Sequence, residues 1–236
     1  CSVESREQTL ATYRGLAACG CVDMIRGGVW KPRTYPSCFQ GVGEVGLEWL
    51  AEAKAETGLP FGVEVANSRH VEAALGAGAD MVWIGARTTG NPFSVQEVAD
   101  ALRGTEVLVL VKNAQMPDTG LWTGAVERML AAGVGPERLV LVHRGFAQTS
   151  GNEYRNPPVW HVALEMRRRF PELKMLCDPS HICGRREGLA ATAQKAADLS
   201  YDGLFMESHV RPDEALSDAA QQVTPEQLGE LLAGIR

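Results

Sequence analysis

The stretch Arg26-Gly27-Gly28-Val29-Trp30-Lys31-Pro32-Arg33-Thr34 sets three fixed cations at the end of an apolar run. Guanidinium forks match phosphate and carboxylate bidentately, and a lysine adds a compact point charge. Pro32 fixes the backbone between Lys31 and Arg33. Gly27 and Gly28 leave room for a ligand or a second backbone. This stretch therefore reads as a seat for a polyanion carrying phosphate, carboxylate or both. Three further cations, Arg87, Lys112 and Arg144, lie downstream, each just after a short apolar run. Six cations exceed the need of one phosphate, so two anionic substrates are expected. A second set, Cys1, His181, Glu207 and Asp218, combines thiolate, imidazole and carboxylate. Those donors together suit a divalent transition metal such as zinc, iron or manganese. Lys112 by itself also fits Schiff-base chemistry. The arginines expected around it favour a charged, phosphate-binding lysine. His70 and His161 fall inside helical patterns and are read as structural.

Strands and helices alternate along the chain, and they must place these groups. Apolar runs at Cys21–Trp30, Phe61–Val65, Met81–Gly85, Val107–Val111, Leu139–His143, Lys174–Cys177 and Gly203–Met206 read as strands. Their near-continuous apolarity is that of parallel strands buried on both faces. Helical patterns at Ser5–Ala18, Glu44–Glu56, Ser68–Gly76, Ser94–Leu102, Trp122–Ala132, Pro157–Phe170, Arg186–Leu199 and Pro225–Leu232 separate and flank them. Ser5 and Ser68 are the expected N-caps of their helices. About eight alternations suggest an α/β fold, either a (β/α)8 barrel or an open doubly wound sheet. No strand is followed by a dinucleotide glycine fingerprint, which favours the barrel. A first strand largely missing before Cys1 is expected, because the first helix has none ahead of it. Active groups of a barrel gather at the C-terminal ends of its strands. Glu64, Arg87, Lys112, Arg144, Asp178, His181 and Glu207 all fall there.

Composition narrows the function. The 236 residues are 45% hydrophobic and 22% charged, with net charge −6. That balance argues against a nucleic-acid partner. No apolar run reaches the length of a membrane span. The six cysteines, Cys1, Cys19, Cys21, Cys38, Cys177 and Cys183, form no regular disulfide pattern, and reduced thiols in a cytoplasmic protein are expected. The Cys19-Gly20-Cys21 triplet has no second pair at a zinc spacing.

Taken together, Cys1-Ser2-Val3-Glu4-Ser5, Lys31-Pro32-Arg33-Thr34, Ile84-Gly85-Ala86-Arg87, Val111-Lys112-Asn113, Asp178-Pro179-Ser180-His181 and Leu216-Ser217-Asp218 resemble the motifs of type I 3-deoxy-D-arabino-heptulosonate 7-phosphate (DAHP) synthases, of the shorter group. The related octulosonate 8-phosphate synthases carry Lys-Ala-Asn-Arg in place of Lys-Pro-Arg-Thr. The resemblance implies a transferase of the shikimate pathway, leading to chorismate and the aromatic amino acids. It would condense phosphoenolpyruvate with erythrose 4-phosphate and release phosphate; the alternatives are an octulosonate 8-phosphate synthase using arabinose 5-phosphate and a catalytically silent regulatory barrel. It implies Arg87, Lys112 and Arg144 on the phosphoenolpyruvate phosphate, and Arg26 and Lys31 beside that substrate. It implies Arg33 and Thr34 on the sugar phosphate. Cys1, His181, Glu207 and Asp218 would bind a divalent metal: manganese first, with iron, zinc or cobalt as the others. Lys31, Glu64 and His181 are the expected catalytic residues, Glu64 orienting or deprotonating a water. Asp178 is expected to support the metal site or the sugar hydroxyls, and His209 to stand behind the ligands. Residues 1–236 are expected to be a single catalytic barrel. In such a family a chorismate mutase or other regulatory domain can be fused to it. A homo-oligomer, dimer or tetramer, is also expected.

Overall fold

The computed structural model describes residues 2–148 and 153–236. Seven strands, β1 (Ile25–Gly27), β2 (Phe61–Val65), β3 (Met81–Ile84), β4 (Leu108–Lys112), β5 (Leu139–His143), β6 (Lys174–Cys177) and β7 (Gly203–Leu204), pair in parallel in their chain order. Ser2 adds a parallel bridge to Gly28, beside β1. Helix α1 (Arg6–Cys19) precedes β1; α2 (Val45–Thr57), α3 (Ser68–Gly76), α4 (Ala86–Thr89), α5 (Pro92–Ala101), α6 (Thr119–Ala131), α7 (Trp160–Arg169), α8 (Pro179–Cys183) and α9 (Leu189–Asp198) lie between successive strands, and α10 (Pro225–Ala233) follows β7.

Strand parity divides the core. Phe61, Val63, Val65, Val82, Ile84, Val109, Val111, Leu139, Leu141, Met175 and Cys177 pack in one cluster with the helices. Met81, Trp83, Leu110, Val140, Val142 and Phe205 form a second cluster inside the curled sheet. The sequence shows continuous apolar runs because both faces of each strand are buried.

Several ends differ from the expected ones, for local reasons. β1 spans only three residues. After it, Gly43 N donates to the Val29 carbonyl and Lys31 N to the Gln40 carbonyl, so the chain leaves the sheet for a loop. Ahead of β1, Cys19 and Cys21 are joined in a disulfide, which corrects the expectation of reduced thiols at these two positions. Gly20 in the left-handed region caps α1 and folds the triplet back, bringing the two Cα atoms to 5.4 Å. Cys38, Cys177 and Cys183 are free. Ser5 caps α1 as expected, accepting from Gln8 N. The cap of α3 is Asn67, which accepts from His70 N, while the Ser68 hydroxyl donates to Glu97 Oε1 at 2.9 Å. α7 begins at Trp160 and not at Pro157, because Val159 sits at φ 41° and the Pro157 carbonyl is bound by Phe146 N. The short helices α4 and α8 went unread in the sequence. α8 is capped by Asp178 and ended by Gly184 in the left-handed region. No helix among the described residues is long and apolar enough to cross a membrane.

Candidate active site

A cavity of about 290 Å³ opens at the C-terminal ends of the strands. Arg26, Lys31, Arg33, Glu64, Arg87, Lys112, Arg144, His181, Glu207 and Asp218 all line it. Parity explains which strand residues reach it. Glu64 follows Gly62, Lys112 follows Leu110, and Glu207 follows Phe205, each two residues on along the inward face. Gly27 has the opposite parity: a Cβ there would meet Leu50 of α2 at 2.7 Å, so this glycine admits a helix and not a ligand. Of the remaining expected residues, Asp178 lies fully buried beneath the cavity and Thr34 is exposed at its edge. Cys1 lies outside the described residues. His209 is buried beside Glu4, its Nε2 3.5 Å from Glu4 Oε2, and does not line the cavity.

Asp178 is the electrostatic floor. Its Oδ2 lies 2.8 Å from Lys112 Nζ and 2.8 Å from His181 Nδ1. Burial pushes this carboxyl upward, but His181 and Lys112 outweigh burial and hold it well below the usual carboxylate range. The same burial lowers the Lys112 ammonium, with Asp178 working against it. Lys112 therefore sits in an ion pair, with Phe205 4.7 Å from its Nζ. Burial also pulls His181 down, with Asp178 working against it.

The cations are held by name. Arg26 has Nη2 3.1 Å from Glu207 Oε1 and its guanidinium 4.2 Å from the Phe205 ring centroid. Arg144 Nη1 donates to Asn156 Oδ1 at 2.8 Å, and Asn113 fixes its backbone by accepting from Arg144 N at 2.8 Å. Burial lowers Arg144 to about 10, so it stays charged at neutral pH. Burial likewise lowers Lys31. Arg87 reaches across to the loop, donating to the Pro32 carbonyl and to Thr34 Oγ1. Arg33 Nη2 donates to Asp218 Oδ2 at 3.2 Å. Glu64 accepts from Trp83 Nε1 at 3.1 Å, and Gly85 makes the space for it: a Cβ at Gly85 would stand 2.1 Å from Glu64 Oε1.

Glu207 and Asp218 are ionised neighbours. Burial pushes Glu207 upward, but His181, Arg26 and Lys31 hold it well below the usual range. Asp218 is raised by burial and by Glu207, and its bond from Arg155 together with Lys31 brings it down overall. Among the described residues no group of three or more His, Cys, Asp and Glu is arranged to hold a metal ion. The donor types nonetheless suit one, since an imidazole, His181, and two carboxylates, Glu207 and Asp218, line the same cavity.

Sequence reading missed four polar residues. Arg155, Asn156 and Gln148 line the cavity from the loop after β5, and Gln221 binds Glu207. None follows a strand directly, and only their contacts mark them. His70 is structural in an unforeseen way, with its ring stacked 4.0 Å from that of Trp30 at 2°. His161 is exposed on α7.

Comparison with known proteins decides the family. The family model described as the DAHP synthetase I family matches residues 1–234. The chain belongs to that family. A phospho-2-dehydro-3-deoxyheptonate aldolase from Thermotoga maritima is 33% identical over 232 residues, covering 98% of this chain and 66% of the relative. The solved Thermotoga maritima DAHP synthase superposes with TM-score 0.86 at 31% identity, covering 99% of this chain and 65% of that one. A 2-dehydro-3-deoxyphosphooctonate aldolase from Nitratidesulfovibrio vulgaris is 28% identical, covering 85% of this chain and 73% of its own length. The chain thus spans about two thirds of the Thermotoga enzyme. The seven-stranded parallel sheet is the DAHP synthetase I barrel seen in the Thermotoga structure, an α/β fold.

Proposed function

We propose that this member of the family is a DAHP synthase, condensing phosphoenolpyruvate with erythrose 4-phosphate and releasing phosphate at the entry to the shikimate pathway. The observation that carries the reading is the convergence of seven cations, the six expected ones and Arg155, and an acid–imidazole group on one cavity. Some of these cations are paired with Asp178, Glu207 and Asp218, and the spread of the rest over the cavity suits the separate anionic groups of a phosphoenolpyruvate and a sugar phosphate.

In this reading Arg87, Lys112 and Arg144 bind the phosphoenolpyruvate phosphate. Lys31 and Arg26 lie along its carboxylate side. Arg33 and Thr34 receive the sugar phosphate, and Arg33 exchanges its bond to Asp218 for one to that phosphate. His181, Glu207 and Asp218, with Cys1, would hold a divalent metal, manganese before iron, zinc or cobalt. When bound, the metal supplies Lewis-acid polarisation of the aldehyde. The enol carbon of phosphoenolpyruvate attacks that aldehyde, and positive charge grows at its C2. Glu64, braced by Trp83, orients a water toward C2 and takes its proton. The adduct then expels phosphate among the cations, which stabilise the departing charge. Asp178 keeps Lys112 charged and orients His181 from beneath. A cytoplasmic, homo-oligomeric enzyme is part of this proposal and rests on the family reading.

The competing substrate is arabinose 5-phosphate, used by the octulosonate branch. The Lys31-Pro32-Arg33-Thr34 motif favours the four-carbon sugar. Phosphate release is measured with each sugar, with and without chelator. The expected result is preference for erythrose 4-phosphate and loss of turnover in chelator. Preference for arabinose 5-phosphate refutes the substrate assignment, and full turnover in chelator refutes the metal.

A further inference from the structure

We infer that Arg155 and Gln221 are positioning residues that fix the Glu207 and Asp218 carboxylates relative to one another. The inference rests on the metal reading above. Arg155 Nη1 donates to Asp218 Oδ1 at 2.9 Å and to Gln221 Oε1 at 2.8 Å. Gln221 Nε2 donates to Glu207 Oε2 at 2.5 Å. The three bonds form a chain from one carboxylate to the other, through one guanidinium and one amide. Both acids also have a cation on their second oxygen, Arg33 on Asp218 Oδ2 and Arg26 near Glu207 Oε1.

The bracket is built into the fold. Gln221 is 1% exposed and closes a 3-10 turn, Ala219–Gln221, that starts from Asp218. Asp218 itself sits at φ 54°, a conformation costly for a non-glycine residue and held here by its surroundings. Gln221 N donates to the Asp218 carbonyl at 3.1 Å, so the acid and the amide move as one unit. On the other side, Arg155 N donates to the Cys183 carbonyl and Asn156 N to the Ile182 carbonyl, docking this loop on α8, which carries His181. Asn156 Nδ2 adds a bond to the His181 carbonyl at 2.6 Å. Gly184 permits the docking, because a Cβ there would lie 2.5 Å from Arg155 Cβ. Arg155 and Gln221 thus join all three described donor-bearing segments: α8, the segment after β7, and the loop to α10. Two like charges held close together need such external bonds. When Arg33 turns to a substrate phosphate, Arg155 is the cation that stays on Asp218.

Partners behind metal ligands typically contribute 10–100-fold in metal affinity. The test measures manganese(II) binding to metal-stripped protein, by electron paramagnetic resonance of the free ion, for the wild type, Gln221→Met, Arg155→Ala, Arg155→Lys and His181→Ala. Thermal melting of each metal-free protein reports folding. The expected result is about 10-fold or greater weakening in Gln221→Met and Arg155→Ala, recovery in Arg155→Lys, and melting points near wild type. Wild-type affinity in both Gln221→Met and Arg155→Ala, with loss in His181→Ala, overturns the inference and leaves the metal reading standing. Tighter binding in Arg155→Ala shows a competing cation in place of a positioning one, and also overturns it. A wild type that fails to bind manganese overturns the metal reading, and this inference with it.

Discussion

Replacing His143 with Asn should flatten the acid side of the stability curve. His143 ends β5 with outward parity, after Leu139 and Leu141, and its ring packs against Trp160 and Tyr201 instead of entering the cavity. Its Nδ1 lies 2.9 Å from Tyr201 Oη and its Nε2 2.5 Å from the Pro158 carbonyl oxygen. The neutral ring accepts from the phenol and donates to the carbonyl, satisfying both nitrogens. Burial lowers it from 6.5 to about 4, with the Pro158 carbonyl working against that. The folded value lies below the unfolded one, so the unfolded chain takes up the proton first. The contribution is complete above about pH 6.5 and is lost as pH falls toward 4. Each pH unit in that window carries up to about 1.4 kcal/mol, so the whole window is worth about 3 kcal/mol. The assay is urea unfolding of wild type and His143→Asn, followed by circular dichroism, at pH 7 and pH 4.5. Groups common to both proteins cancel in the difference. The stability gap between the two proteins should shrink by about 2–3 kcal/mol at the lower pH. A gap that stays constant refutes a neutral, buried His143.

Three more perturbations test the site. Gly85→Ala puts a methyl group where the Glu64 carboxylate lies, so kcat should fall about 10-fold or more while circular dichroism is unchanged, as steady-state phosphate release would show. Lys112→Met leaves the fully buried Asp178 carboxylate without its ammonium and should cost about 3–5 kcal/mol in denaturant unfolding; Lys112→Met with Asp178→Asn should recover part of that loss. His70→Ala removes the ring stacked on Trp30, next to Lys31, and should raise KM for phosphoenolpyruvate about fivefold, with His70→Phe restoring it.

The alternation of strands and helices, and the rim on which the charged groups meet, are legible in the amino-acid sequence. Parallel strands buried on both faces must be apolar, so Leu108–Lys112 and Leu139–His143 announce themselves, and so do the ionisable residues that end them. Lys112, Arg144, His181 and Glu207 were legible for that reason, and the structure brings them to one cavity. What long-range contact sets emerges only in the folded chain. Parity sends His143 outward and Arg144 to the cavity, although the two are adjacent in the chain. Asp178 became the partner of Lys112, 66 residues away. Arg87 turned toward Pro32 and Thr34, and Arg33 toward Asp218, because fixed positive charges seek the nearest acceptor. Arg155 and Gln221 carry no local signature: each follows no strand and fits no motif. Their roles arise only where the loop after β5 and the turn before α10 meet, and local propensity does not encode that meeting.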